Sequence, residues 1–279
     1  MSIAGGLEHA IEAARRVGCE CLQLFVRNQR RWTSLPLGED TVARFRQAKQ
    51  AAGLRLAVAH ASYLVNLASP DLSGRKQSCL AMIDELERCE GLGLAALIVH
   101  PGSYLDGSPQ AGIRRIVASV NRVQRACAGY RCRILLETTA GQGTSIGYRF
   151  EQLAGILGGV REPQRLGVCL DTCHLFAAGY DFRTDQSYAA MTDALGRIIG
   201  FENVHAVHMN DSKRELGSRV DRHEHIGKGK IGRAGFAHFV NDPRFAGLPM
   251  ILETPKGTDG RGSDLDVVNL KRLRGLIRG

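Results

Sequence analysis

Short apolar, β-branched runs alternate along this chain with longer amphipathic stretches, at intervals of roughly 35 to 45 residues, the rhythm of successive βα units. The apolar runs predict strands at residues 21–26, 56–60, 96–100, 134–137, 166–171, 204–209 and 249–253. Apolar positions recurring at helical spacing predict helices at 6–17, 39–52, 75–90, 110–128, 150–160, 185–199, 234–240 and 265–278. Gly18, Gly53, Gly91, Gly129, Gly158 and Gly200 fall where helix C-caps belong. Seven strands and eight helices, opening on a helix, predict an α/β fold: a TIM (β/α)8 barrel lacking its first strand in this chain, as one domain over residues 1–279. An open doubly wound sheet would need a phosphate-cradling glycine-rich turn after its first strand, and none follows residue 26.

Composition adds little to that pattern. Apolar residues at 44% and charged residues at 23% belong to an ordinary globular protein. No apolar run approaches the ~20 residues of a membrane span, and the first residues lack the basic-then-apolar order of a signal peptide. The expectation is a cytoplasmic protein with no membrane partner. Eight cysteines make no C-x-x-C pair and read as reduced, buried, small hydrophobes. The charge balance matters more. A net charge of +9 raises the local concentration of a polyanion such as DNA or RNA and makes its binding fall with salt. An excess of this size is also common without any partner. Arginine clusters in NQRRW, GIRRI and LKRLRGLIR, the last two reading as solvated helix faces.

The candidate chemistry lies at the strand ends. The run 166–171 ends in Asp171, and His174 follows three residues later, a spacing that can aim a carboxylate and an imidazole into one metal-binding pocket. Alone, the pair reads slightly better as a helix cap and an ordinary loop histidine. The other strands remove the ambiguity. They end in His60, His100, Glu137, His208 and Glu253, and in a barrel those ends converge on the face where active sites are built. Packing does not explain six such ends, because buried imidazoles and carboxylates without partners cost on the order of several kcal/mol. Two loops extend the set with His174 and with Asp221-Arg-His223, whose alternate spacing puts both ligands on one side of an extended segment. His225 continues the alternation and ranks below His223, whereas His9, His205 and His238 fall on helices or the other strand face. Nine donors exceed the roughly four that one zinc takes and suit two or three ions. Ions about 3.5 to 4 Å apart can clamp a phosphate and supply hydroxide, so metal-assisted phosphoester hydrolysis fits.

The segments that carry these residues are Ala59 to Pro70, His100-Pro-Gly-Ser103, Leu136 to Gly143, Asp171-Thr-Cys-His174, His208-Met-Asn-Asp211, Asp221-Arg-His223 and Ile251-Leu-Glu-Thr254. In order, and over nearly the whole chain, they resemble the motifs of the endonuclease IV family of zinc-dependent apurinic/apyrimidinic endonucleases. The resemblance implies a TIM barrel that cuts double-stranded DNA on the 5′ side of an abasic sugar, leaving a 3′-hydroxyl and a 5′-deoxyribose phosphate. It implies three zinc ions, although manganese accepts overlapping ligands. His60, His100 and Glu137 would hold one ion, and Glu137 would bridge to a second bound by Asp171, His208 and Glu253. His174, Asp221 and His223 would hold the third, and Glu137 would position or deprotonate the attacking water. Arg30 resembles a base-stack wedge, and Tyr63 and Leu64 a pair entering the minor groove beside the abasic gap. A monomer acting at the nucleoid is implied.

Two departures stand out. Family members open with a short strand ending in a His-Val-Ser-like segment, where this chain has only Met1-Ser-Ile-Ala-Gly5-Gly6, so either the gene product begins upstream or the barrel is open. Lys228 stands where members often carry an acidic residue. Two other functions compete: a xylose-isomerase-like sugar isomerase or epimerase, and a catalytically impaired DNA-binding remnant.

Overall fold

The computed structural model describes residues 1–54 and 56–278. The backbone packs as two compact units, Met1–Glu137 with Gly155–Gly167, and Thr138–Ala154 with the chain from Val168 onward.

The first unit repeats a helix and a strand. Its elements are α1 (Leu7–Arg16), β1 (Cys21–Leu24), α2 (Glu39–Ala51), β2 (Leu56–His60), α3 (Leu72–Leu92), β3 (Ala96–Val99), α4 (Pro109–Ala126) and β4 (Arg133–Glu137). The strands pair in parallel, with Cys21 beside Leu56, Ala59 beside Leu97 and Ala96 beside Arg133. Neighbours on both faces are buried, among them Leu22, Val58, Leu97, Ile98, Leu135 and Leu136. This is why the sequence shows continuous apolar runs rather than alternation. Parallel pairing also brings the four strand C-termini to one edge.

Helix boundaries follow their capping chemistry. Asp71 accepts from the Ser73 and Gly74 amides and starts α3 three residues before the expected position. Gly91 does not cap this helix. It lies inside α3, and Gly93, at φ 66°, makes the left-handed turn that ends it. Gly158 likewise is not left-handed, whereas Gly18, Gly53, Gly129 and Gly200 all have positive φ.

In the second unit the Thr138 amide donates to Cys169 O at 2.9 Å. Here β5 (Leu166–Asp171), β6 (Val204–His208) and β9 (Met250–Ile251) pair in parallel, with Asp171 beside His208 and His208 beside Ile251. The helices are α5 (Phe150–Leu157), α6 (Thr172–Ala178), α7 (Asp185–Ile198), α8 (Gly232–Asn241) and α9 (Leu265–Arg274). A capping box joins Thr184 and Ser187 at the start of α7. The core is aromatic: Phe182 meets Phe239 edge to face at 5.2 Å, and Phe239 stacks on Phe245 at 5.4 Å. A small antiparallel ladder, β7 (Asp211–Ser212) with β8 (His223–Glu224), closes the loop after β6.

Among the described residues the parallel strands number seven, as the pattern predicts. Further details differ from expectation. The last strand is two residues long and leaves Glu253 beyond its end, α6 is additional, and His174 lies on that helix rather than in a loop.

Candidate metal centre

In the first unit three strand ends meet. His60 is the last residue of β2, His100 follows β3 directly, and Glu137 ends β4 with its side chain fully buried. His60 Nε2 stands 3.0 Å and His100 Nε2 3.1 Å from the same oxygen, Glu137 Oε2. The two rings meet edge to face at 5.4 Å. His60 Nδ1 is 2.8 Å from Ala61 O, and a carbonyl can only accept, so Nδ1 carries the hydrogen. In neutral His60 the lone pair is therefore on Nε2, facing a carboxylate lone pair. Two such atoms at 3.0 Å repel unless positive charge lies between them.

The second unit repeats the arrangement. Asp171, fully buried at the end of β5, accepts through Oδ1 from the His174 amide at 2.8 Å and so caps α6. Its Oδ2 accepts from Asn210 Nδ2 at 2.7 Å. The capping and ligand readings of Asp171 are thus compatible, because the carboxylate faces two ways. His208 Nδ1 lies 3.7 Å from Asp171 Oδ2 and 3.2 Å from Glu253 Oε2. The ligand atoms of Asp171, His208 and Glu253 all lie within 4.8 Å of one another.

Beside them, one carboxylate joins two more histidines. His174 Nε2 is 3.0 Å from Asp221 Oδ2, and His223 Nε2 is 3.2 Å from Asp221 Oδ1. Each ring again places Nδ1 on a backbone carbonyl, His174 on Thr138 O at 2.8 Å and His223 on Glu253 O at 3.2 Å. Burial opposes charge here, yet His174 and His223 hold the Asp221 carboxyl far below the usual carboxylate range. Burial likewise opposes protonation of His223, but the Asp171 charge and the Asp221 hydrogen bond outweigh it and raise the imidazole to about 9. All three clusters suit a cation, and imidazole with carboxylate is the donor set of a divalent metal. The outward N–H bonds to carbonyls are the contacts that orient metal-ligating histidines.

Cys173 reaches the same cluster, its Sγ within 4.8 Å of ligand atoms of Asp221 and His223. Burial and the Asp171 charge push its thiol up to about 12, and Sγ donates to Arg222 O at 3.7 Å. In the metal-free chain it stays protonated.

Residues 11–271 match the family of xylose isomerase-like TIM barrels. The probable endonuclease 4 of Geobacter sulfurreducens (strain ATCC 51573 / DSM 12127 / PCA) is 47% identical over 278 residues, covering 100% of this chain and 93% of that protein. The chain belongs to the endonuclease IV family. The crystal structure of endonuclease IV from Thermus thermophilus superposes with a TM-score of 0.86 at 40% identity, covering 99% of this chain and 96% of that one. A D-tagatose 3-epimerase-like protein superposes at 0.73 with 17% identity, a likeness of fold alone. The TIM-barrel fold read from the strand pattern is therefore correct.

The other expected positions of this endonuclease IV family member are scattered in exposure. Arg30 is exposed in the loop after β1, Leu64 is half-buried, and Tyr63 is 68% exposed with its ring 5.8 Å from that of His60 and 6.4 Å from that of His100. His225 bonds Asn269 at 3.0 Å, His238 stacks on Tyr188 at 4.8 Å, and His9 Nδ1 lies 3.4 Å from Ala4 O. Among the described residues none of the three belongs to a donor cluster. Sequence reading missed the residues that hold the ligands. Asn210 bonds Asp171 and, through Oδ1, the Glu253 amide at 2.8 Å. Thr138 Oγ1 accepts from the Asp171 amide at 2.8 Å. Asp211 gathers the amides of Ser212, Gly229 and Ile231 at 2.8 to 3.0 Å. The available signal was their position directly after β4 and β6, within the quoted motifs. Among the described residues no helix is long and apolar enough to cross a membrane.

Proposed function

We propose that the chain is a DNA-repair endonuclease that hydrolyses the phosphodiester 5′ to an abasic site, leaving a 3′-hydroxyl and a 5′-deoxyribose phosphate. In this reading it acts as a monomer on double-stranded DNA. The observation that carries the metal-dependent part is the orientation of His60, His174 and His223, each with Nδ1 on a carbonyl and Nε2 aimed at a carboxylate. The reading assigns His60, His100 and Glu137 to one ion, Asp171, His208 and Glu253 to a second, and His174, Asp221 and His223 to a third. Zinc fits these donors first and manganese second. Divalent ions held there would lower the pKa of water toward neutrality and offset charge on the phosphate.

Glu137 takes two roles, bridging the first and second donor sets and holding the attacking water for proton removal. Chain connectivity supports the bridge, because Glu137 is peptide-bonded to Thr138, whose hydroxyl accepts from the Asp171 amide. Arg30, Tyr63 and Leu64 meet the DNA. An aromatic ring beside two ligand histidines can replace the stacking lost when a nucleotide leaves the helix.

The isomerase reading accounts for fewer of these residues, since sugar isomerisation does not need the donor set of His174, Asp221 and His223. The remnant reading has to explain why all nine donors are present. One experiment separates the three: zinc-loaded protein is incubated with a duplex carrying one abasic analogue and with an intact duplex. Cutting 5′ to the analogue, with a 3′-hydroxyl product, is expected. Binding without cleavage would support the remnant, and sugar turnover without either would support the isomerase.

A further inference from the structure

Beneath the loops that carry Arg30 and Tyr63 lies an ion pair outside the donor sets. Arg27, past the end of β1, is 5% exposed, and Glu85, within α3, is 1% exposed. Arg27 Nε donates to Glu85 Oε1 at 2.7 Å, and Nη2 stands 2.6 Å from the same oxygen. Nη1 donates to Arg31 O at 2.6 Å. The Glu85 carboxylate also accepts from the Ser62 amide, at 3.3 and 3.2 Å to its two oxygens. Ser62 Oγ in turn donates to Gln29 O at 2.7 Å and accepts from the Leu64 amide at 3.3 Å. One carboxylate from α3 therefore joins the 28–32 loop, through Arg27, to the 62–64 loop. The next helical turn repeats the tie. Arg88 bonds Asp84 at 3.0 Å and donates to Leu35 O at 2.6 Å, further along the loop after β1.

Stability alone does not account for this pair. Two fully desolvated charges are often no more stabilising than well-packed apolar side chains of the same volume. An apolar pair could not hold a backbone amide of one loop and a backbone carbonyl of the other. Residues 28–32 and 62–64 have no helix or strand of their own, so without such a tie their ordering would be charged against DNA affinity. We propose that the Arg27–Glu85 pair is a positioning element for DNA recognition, presenting Arg30 and Tyr63 in one fixed relation before the duplex arrives. The inference rests on the reading above in which Arg30 and Tyr63 contact DNA.

The test uses the zinc-loaded full chain and a duplex with one abasic analogue. In Glu85→Gln, Kd and KM should rise about tenfold while kcat at saturating duplex stays within about twofold, because the lost preorganisation affects binding more than chemistry. Since that variant leaves the buried Arg27 charge only the more distant Asp84 carboxylate, 3.7 Å from Nε, the deciding protein is Arg27→Met with Glu85→Leu, which restores apolar packing. The same loss of affinity is expected there, at near-parental melting temperature and metal content. Parental affinity in this double variant would overturn the proposal, as would a loss confined to kcat. Arg30→Ala, measured alongside, tests the underlying reading by itself. If Arg30→Ala weakens binding and the double variant does not, only the positioning role fails; if Arg30→Ala binds as well as the parent, the contact reading fails instead.

Discussion

The most informative atoms in this protein are three imidazole nitrogens. A histidine whose Nδ1–H is committed to a carbonyl has no choice about what Nε2 offers, and in His60, His174 and His223 that atom faces a carboxylate. In the metal-free chain a proton can take the cation's place. His223 then keeps its proton up to about 9, against about 6.5 for a free imidazole, so near pH 8 it is charged when metal-free and neutral when ligating. Zinc uptake near pH 8 should therefore release about one proton from this residue, an amount that fades as pH rises through 9. Titration calorimetry in two buffers of different ionisation heat checks the sign, and proton uptake would contradict the assignment. Glu137 makes the second prediction at this scale. Glu137→Gln keeps the shape but loses basicity, so turnover should fall on the order of 10²–10⁴-fold with DNA affinity within a few-fold. Single-turnover cleavage and a binding titration on the same duplex separate the two effects, and parental turnover would remove Glu137 from its role.

At the level of elements, the sequence is legible where one residue sits at the end of each strand and illegible where hydrogen bonds between distant segments decide. His60, Glu137, Asp171 and His208 each end a strand, and apolar runs locate strand ends well. Helix α6 was hidden because Thr172–Ala178 is only seven residues long and no linker separates it from β5, Asp171 both ending the strand and capping the helix. The last strand is short because Pro249, just before it, cannot donate to a ladder and the Glu253 amide beyond it goes to the Asn210 side chain. The ladder of β7 and β8 is too short for alternation to show, yet it sets the position of His223 by pairing it with Ser212. Its foundation is the buried Asp211, held by three amides although burial raises its pKa. Gly229 is part of that foundation, since a Cβ there would lie 2.3 Å from Ser212 O and 2.6 Å from Asp211 Oδ1. Gly229→Ala should displace the ladder and weaken the His174, Asp221 and His223 set by about 10–100-fold, the range seen when supporting contacts of a ligand are lost. Elemental analysis after dialysis at limiting zinc should read about one ion fewer per chain than the parent, with His60, His100 and Glu137 still loaded.

For the whole molecule, the charge of +9 gains meaning only with the endonuclease IV membership and the donor clusters beside it. A sugar isomerase would have no use for a cationic excess, whereas an enzyme drawn to a polyanion would gain encounter rate and affinity from it. The two cases respond differently to salt. If lysines and arginines neutralise several phosphates, the Kd for any duplex should rise about a hundredfold or more between roughly 50 and 200 mM salt, through release of condensed counterions. The preference for an abasic over an intact duplex should stay nearly constant across that range. Charge does not distinguish the two duplexes, and in the proposed reading that discrimination falls to uncharged contacts such as those of Tyr63 and Leu64. Fluorescence anisotropy on matched duplexes, with calcium or no added metal to prevent cutting, gives both quantities from one salt series. A flat Kd would mean that the basic surface faces solvent only. A preference that collapses with salt would move the recognition of the lesion from Tyr63 and Leu64 to the arginines.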